Sequence, residues 1–550
     1  MPQRPQPHPP RRTLLTTALA ATAATTAAAC QSAEPPAPTP SPTPTPTTPP
    51  KPDPKPPTST PTNRPQDWPA LARTLDGPLL LPQSPDYASA HRLYNTRFDH
   101  LKPAAIAYVA HEADVRAALA YARATRTPVA IRNGGHSYAG WSSGTGRLII
   151  DVSKLDHIKT TGTTAAAASH TASHTATVSA GARLIDVYET LAASGRTVPG
   201  GSCPSVGISG LTLGGGHGVV SRAYGLTCDS LTAATLVTAD GSTLRCDAKE
   251  NPDLFWALRG AGNGQFGVVT SLEFRTHPAA RTVTGNLTWP WSQAPAVLTA
   301  WQQWGPGQSD EIWSAAHFSA GAGGGNPTVS VSLCSLGTHS DLANAVDRLA
   351  EAVRAAPRST SLRPHSYREA MRLYAGCADL SDAQCHLPGT TPGRTPEGAL
   401  GRETYDSRSD FFARALDPAG VRTLLSGVEN FTRVTTAQGG GGATIALTAL
   451  GGAVNRVAPE ATAFVHRRMR MLAQYTASWR PGTPGTAQQR WLTTTHASMR
   501  RHASGSAYQN YTDPTLPDWR RAYFGSAADR LTTLKSRHDP DHVFDFPQAL

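Results

Sequence analysis

Apolar positions in the middle of the chain change period repeatedly. Ala104 to Val109 and Pro128 to Arg132 are short apolar runs of strand length, and between them Glu112 to Thr125 places Val115, Leu119 and Ala122 on one helical face. Leu148 to Val152, Val178 to Arg183, Leu231 to Ala239 and Val268 to Phe274 read as further strands, with a hairpin turn expected at Asp240-Gly241, where both residues tolerate positive φ. After Pro278 the texture changes. Trp289 to Gly307, the alternation Val329-x-Val331-x-Leu333, the helical Asp341 to Ala355, and the runs Thr444 to Leu450 and Met469 to Trp479 predict a second unit. The fold class expected is α+β, with chemistry placed at strand ends.

The ends of the chain do not share this texture. Arg11-Arg12-Thr13-Leu14-Leu15 precedes a mildly apolar Ala/Thr stretch, so residues 1–30 read as a twin-arginine-type export signal. Ala27-Ala28-Ala29-Cys30 resembles a lipoprotein cleavage box but lacks the usual leucine three residues before the cysteine. Cys30 is therefore a candidate lipid anchor, with ordinary cleavage after small residues as the alternative. Residues 31–67 are Pro/Thr-rich, too poor in large apolar groups to build a core, and are expected to form a disordered spacer holding a secreted or cell-surface enzyme away from membrane or wall. The 550 residues leave room for two to four domains. No later stretch has the 18 or more apolar residues of a membrane helix.

A net charge of +11 raises the question of nucleic acid, but basic and aromatic residues do not cluster as such a face requires, so no nucleic-acid partner is expected. Export makes disulfides plausible chemistry. Among Cys228, Cys246, Cys334, Cys377 and Cys385, the last two are the pair favoured by proximity. The low-complexity insertion Thr160 to Thr177 contains His170-x-x-x-His174, a helical metal spacing, but its loop composition and lack of acidic or cysteine partners argue against a metal.

Three segments carry candidate chemistry. Arg132-Asn133-Gly134-Gly135-His136-Ser137 ends a strand in two glycines, which allow backbone N–H groups to turn toward an anion such as a pyrophosphate, with Arg132 adding charge. Taken alone it also describes a glycine turn followed by a surface histidine. Pro199-Gly200-Gly201-Ser202-Cys203-Pro204-Ser205-Val206-Gly207 leads into Gly214-Gly215-Gly216-His217-Gly218, placing a cysteine between glycine-rich loops like a reactive thiol, or like a structural cysteine. Tyr508-Gln509-Asn510-Tyr511-Thr512-Asp513 is expected as a strand presenting Tyr508, Asn510 and Thr512 on one face and Tyr511 on the other. A fourth pattern, Gly262-x-Gly264-x-x-Gly267, fits a dinucleotide fingerprint but is rejected because a helix precedes it and a strand follows.

Together these motifs resemble the berberine bridge enzyme family of FAD-linked oxidases, which has a PCMH-type, vanillyl-alcohol-oxidase-like FAD domain. The resemblance runs from about Trp68 to Leu550. It rests on Arg-x-Gly-Gly-His-Ser-Tyr at 132–138, Cys-Pro-x-Val-Gly at 203–207, Gly-Gly-Gly-x-Gly at 214–218, Asp253-Leu254-Phe255-Trp256-Ala257-Leu258-Arg259-Gly260, Thr462 to Arg467, Tyr-x-Asn-Tyr at 508–511, and a tail with Asp539-Pro540 and Phe546-Pro547-Gln548. It implies a two-part FAD domain made of residues 68–277 and 505–550. A substrate domain, residues 278–504, would contain an antiparallel sheet covered by helices.

The resemblance further implies FAD bonded to His136 and Cys203. Its implied contacts are Arg132, Asn133, Gly134, Gly135, Ser137, Val206, Gly207, Gly214, Gly215, Gly218, Val268, Tyr508 and Asn510, with Tyr508 as catalytic base assisted by a group from the substrate domain. The implied reaction is hydride removal from an alcohol or sugar carbon, with O2 as acceptor and H2O2 as product. Val206 is the small residue at the position that gates oxygen in several family members. Where plant ring-closing members carry a basic glutamate, this chain offers Arg456, so alcohol or sugar oxidation is favoured over ring closure. A tailoring oxidase or dehydrogenase of secondary metabolism, and a flavin-bearing surface binding protein without turnover, are the alternatives. Trp289, Trp301, Trp304 and Trp313 suggest either carbohydrate stacking or core.

Overall fold

The computed structural model describes residues 65–161, 174–434 and 440–550. The expected export segment with Cys30, the expected spacer up to residue 64 and His170 lie outside the described residues.

Strands Ala105–Tyr108, Leu148–Asp151 and Val129–Arg132 lie side by side and parallel, with Leu79–Leu80 antiparallel at one edge. Parallel neighbours require a crossover, and helix Glu112–Thr125 follows the first of them, burying Val115, Ala118, Leu119 and Ala122. Every residue of Ala105–Tyr108 and Leu148–Asp151 is buried, which is why these strands read as continuous apolar runs rather than as alternations.

A second, antiparallel sheet has the order Ile158–Thr161, Thr175–Ser179, Val268–Arg275, Leu231–Val237, Thr243–Asp247. Asp240-Gly241 closes its last hairpin, with Gly241 at φ +91°. Thr160, Thr161 and Thr175 to Thr177, expected as part of the low-complexity insertion, are instead residues of the paired strands Ile158–Thr161 and Thr175–Ser179, and residues 162–173 lie outside the described residues. Helix Pro252–Leu258 precedes the Gly262 to Gly267 segment and strand Val268–Arg275 follows it, the reverse of a dinucleotide fingerprint.

Residues from 282 onward build a seven-stranded antiparallel sheet. Its order is Ser359–His365, Thr282–Trp289, Thr328–Ser335, Ile312–Gly321, Gly442–Ala449, Met471–Ser478, Tyr405–Phe412. One face is apolar: Val329, Val331, Leu333, Phe318, Ile445 and Leu447 are buried in a common core with helices Ala294–Trp304, His339–Val353, Pro418–Phe431 and Thr486–Arg500. Trp289, Trp301 and Trp304 belong to this core and Trp313 to the neighbouring one, all four buried. The reading of these tryptophans as a sugar-stacking platform is thereby corrected. On the other face Ser409 stands directly opposite Gln474, and this polar face turns toward the first unit. Cys377 and Cys385 are joined in a disulfide; Cys203, Cys228, Cys246 and Cys334 are free thiols.

The segment expected as a strand at Tyr508 to Asp513 is instead a 3₁₀ turn over Gln509–Tyr511. The alternating polar and aromatic residues imitate a strand, but local bonds take the backbone: Tyr511 N–H donates to the Tyr508 carbonyl at 2.9 Å, and the Thr512 hydroxyl donates to the Gln509 carbonyl at 2.7 Å. Tyr508 and Tyr511 therefore both point inward, with ring centroids 5.0 Å apart. Helix Ala528–His538 then returns the chain to the first unit. Its buried Lys535 donates to the carbonyls of Gln265 (2.8 Å) and Phe544 (2.9 Å) and to Asp539 (2.7 Å), so all three ammonium protons are used.

Arg467, with no exposed side-chain area, makes a two-pronged contact with Asp229 at 2.6 and 2.8 Å and joins the two units. Removing the carboxylate strands a buried charge. Asp229→Ala is expected to lower unfolding stability by about 3–5 kcal/mol in denaturant titration; a change under about 1 kcal/mol would contradict this.

Candidate active site

A cavity of about 490 Å³ lies where the two units and the tail meet, within the usual size range of cofactor and substrate pockets. The first unit lines it with Asn133, Gly134, Gly135, His136 and Ser137, with Cys203 to Gly207, and with Gly264, Gln265 and Gly267. Glu403, Tyr405, Gln474 and Thr476 come from the second unit, and Tyr508, Asn510, Tyr511, Phe544, Phe546 and Gln548 from the tail.

Glycine is required at the wall for steric reasons. A Cβ on Gly134 would stand 2.5 Å from the Ser205 carbonyl oxygen, and one on Gly207 would fall inside the Asn133 amide, so the two glycine segments touch backbone to backbone. His136 follows directly. Its ring stacks on Tyr94 at 4.0 Å and its Nε2 meets the Ser205 hydroxyl at 2.9 Å, leaving Nδ1 free of hydrogen bonds. Burial, helped by the Arg183 charge, lowers its pKa to about 3, so the imidazole is neutral. The Cys203 thiol opens onto the cavity yet is enclosed by protein, and burial, with Glu403 nearby, pushes its pKa up to about 12.

Tyr508 is almost fully buried. Its hydroxyl oxygen accepts from the Gly216 N–H and from the Asn510 side-chain amide, each at 2.9 Å, and burial holds its pKa above the ordinary phenol value while those two donors oppose the rise. Asn510 is itself fixed by Asn263, which donates to its oxygen at 2.8 Å, and by the Leu211 carbonyl, which accepts from its nitrogen at 2.9 Å. His217 lies beside this pair, its Nε2 3.0 Å from the Tyr511 hydroxyl. On the sheet side Gln474 donates to the Tyr138 hydroxyl at 2.8 Å.

Several expected contacts lie elsewhere. Arg132 is buried, its Nε paired with Asp151, and stays out of the cavity lining. Gly214, Gly215 and Gly218 do not line the cavity either; they let the glycine loop approach other chain segments. A Cβ on Gly214 would stand 2.0 Å from Asn510, one on Gly215 2.9 Å from Phe464, and one on Gly218 1.7 Å from the Gly200 carbonyl. Val268 points into the core, while its neighbours Gly267 and Val269 line the cavity. Arg456 sits on the surface paired with Asp310. Sequence reasoning missed Tyr94, Tyr138, Glu403 and Gln474. None sits in a glycine-rich or motif-like stretch apart from Tyr138, which closes the Arg-x-Gly-Gly-His-Ser-Tyr match.

The residues present suit FAD. Backbone in close glycine contact, a free thiol and an imidazole nitrogen without a partner face one cavity, and a buried phenol sits beside them.

Comparison with known proteins agrees. The chain matches the family described as FAD binding domain over residues 103–247, and the one described as berberine and berberine like over residues 507–550. A FAD-linked oxidoreductase of Bacillus subtilis is 30% identical over 484 residues, 86% of this chain and 97% of the relative. The chitooligosaccharide oxidase of Gibberella zeae is 30% identical over 70% of this chain and 72% of its own length. Among solved structures, a berberine bridge enzyme-like protein of Physcomitrella patens superposes with a TM-score of 0.76 at 28% identity, covering 88% of this chain and 98% of that one. A xylooligosaccharide oxidase of Myceliophthora thermophila, in complex with xylobiose, has a TM-score of 0.74 at 28% identity, covering 87% and 98%.

Burial lowers the pKa of His217 and His317 to about 4 and that of His466 to about 3, against about 6.5 for a free histidine. Below pH 6.5 the unfolded chain takes up protons that the folded chain refuses, so stability is full above that pH and is lost as pH falls toward 4. Denaturant titrations between pH 7 and 4.5 are expected to show a decline approaching about 1.4 kcal/mol per pH unit for each histidine. A flat profile over that window would contradict the neutral assignment.

Proposed function

The chain belongs to the berberine bridge enzyme-like family of FAD-linked oxidoreductases, and on that premise we propose that it is an exported oxidase acting on a hydroxyl-bearing carbon of a saccharide, with O2 as acceptor and H2O2 as product. The observation that carries this reading is a buried phenol, Tyr508, held by two N–H donors in the same cavity as the free Cys203 thiol and the neutral His136. The names of the relatives, chitooligosaccharide and xylooligosaccharide oxidases among them, support the saccharide class. The paired arginines Arg11-Arg12 ahead of an Ala/Thr stretch support export.

FAD, when bound, supplies the hydride acceptor and passes the electrons to oxygen. His136 through its unpartnered nitrogen and Cys203 through its thiol are the two attachment points in this reading, and the Gly134-Gly135 turn gives backbone N–H groups to an anionic linker. Burial, with Glu403 nearby, keeps the Cys203 thiol protonated at rest.

Tyr508 takes the proton from the substrate hydroxyl. Burial keeps the phenol protonated at rest, so its own proton must pass to an assisting group of the second unit as the substrate proton arrives. The Gly216 and Asn510 donors stabilise the negative charge that builds on the Tyr508 oxygen. Val206 stands in the lining close to Cys203, and in this reading its small side chain is what lets oxygen reach the flavin.

Peroxide release with a panel of chito-, xylo- and glucooligosaccharides and simple alcohols is the test. At least one saccharide is expected to reduce the flavin under anaerobic conditions and yield peroxide in air. Tyr508→Phe should retain the flavin spectrum while kcat drops about 10²–10⁴-fold. A wild-type protein inert toward every saccharide, or a Tyr508→Phe variant with unchanged kcat, would overturn this reading.

A further inference from the structure

Behind the loop that carries His136 lies a second, much smaller void of about 30 Å³. The first unit lines it with Arg132, Asp151, Ser153 and Arg183, and the second unit closes it with Pro392, Gly393 and Arg394. Gly393 is at φ +78°, and a Cβ there would stand 1.9 Å from the Arg183 guanidinium, so this loop is built to lie flat against that side chain.

The charges around the void do not balance. Arg92, Arg132, Arg183 and Arg394 face a single carboxylate, Asp151. That carboxylate is already committed, one oxygen to Arg132 Nε and the other to the Ser153 N–H at 2.8 Å. Arg183 is buried and donates only to neutral groups: the Gly181 carbonyl (3.1 Å), the Ser153 hydroxyl (2.9 Å) and the Asn133 side-chain oxygen. Arg394 likewise reaches only the carbonyls of Pro388 (3.3 Å) and Arg92 (3.4 Å). Arg132, 4% exposed, keeps Nη1 buried with no hydrogen-bond partner.

An uncompensated buried cation is costly, and a donor left without an acceptor adds to that cost. One small anion would answer both. We propose that the void between Arg132, Arg183 and Arg394 is a binding site for a small inorganic anion of the size of chloride. The volume holds about two water-sized spheres, enough for a halide. Such an anion bridges guanidiniums from both units. It also sits against Asn133, Gly134 and Gly135, which line this void and the large cavity alike, so its occupancy supports the segment that presents His136.

The test uses the full-length purified protein. Thermal unfolding is followed at fixed ionic strength while sodium chloride replaces sodium gluconate, whose anion is too large for the void. Chloride is expected to raise the midpoint saturably, by about 2–4 °C. Arg394→Gln, changed at a half-buried position, should unfold cooperatively but lose that response. Crystals of the wild-type protein soaked in sodium bromide should show anomalous density among Arg132, Arg183 and Arg394, a readout that stands even if the variant fails to fold. Equal midpoints in the two salts, bromide density only elsewhere, or an undiminished chloride response in Arg394→Gln would overturn the proposal.

Discussion

The bond from the Gly216 N–H to the Tyr508 hydroxyl is the contact on which the site depends. It forms only because Gly214 and Gly215 carry no side chains: a methyl group on Gly214 would collide with Asn510, and one on Gly215 would collide with Phe464. The loop belongs to the first unit and the phenol to the tail, 292 residues apart in sequence. These glycines let the tail dock closely enough for its tyrosine and asparagine to enter the cavity.

That docking is secured from several sides. Lys535 uses all three of its protons to pin the last turn of the chain to Gln265 and Phe544, so residues 544–548 complete the wall. Ser409 on the polar face of the large sheet accepts from the Tyr508 N–H at 3.0 Å. Phe464 packs edge-on against the Tyr508 ring, and Arg467, three residues on, reaches back to Asp229. A sheet with one apolar face buried under helices and one polar face turned to the cavity can therefore add Tyr405, Gln474 and Thr476 to the site without giving up its own core.

Much of this was legible in the residues. Period and length gave the helix Glu112–Thr125 and the neighbouring strands, and the order of helix and strand around Gly262 to Gly267 ruled out a dinucleotide loop. Other features were hidden for physical reasons. Tyr508 to Asp513 alternates like a strand, but the Thr512 hydroxyl and one local backbone bond make it a turn, and side-chain capping of this kind outweighs period over so short a stretch. Arg132 read as a free charge because its partner Asp151 lies on a neighbouring strand, set by parallel register that the local sequence does not encode. Glu403 and Gln474 reach the cavity through the pairing of distant strands and loops, which no local pattern reports.

Peptide-mapping mass spectrometry of the denatured, purified protein tests the central claim most directly, that one cavity brings His136 and Cys203 to the same FAD. The account predicts FAD mass on the peptides containing His136 and Cys203, joined through the flavin. Folded, yellow protein that releases all its flavin on denaturation, with neither peptide modified, would contradict it.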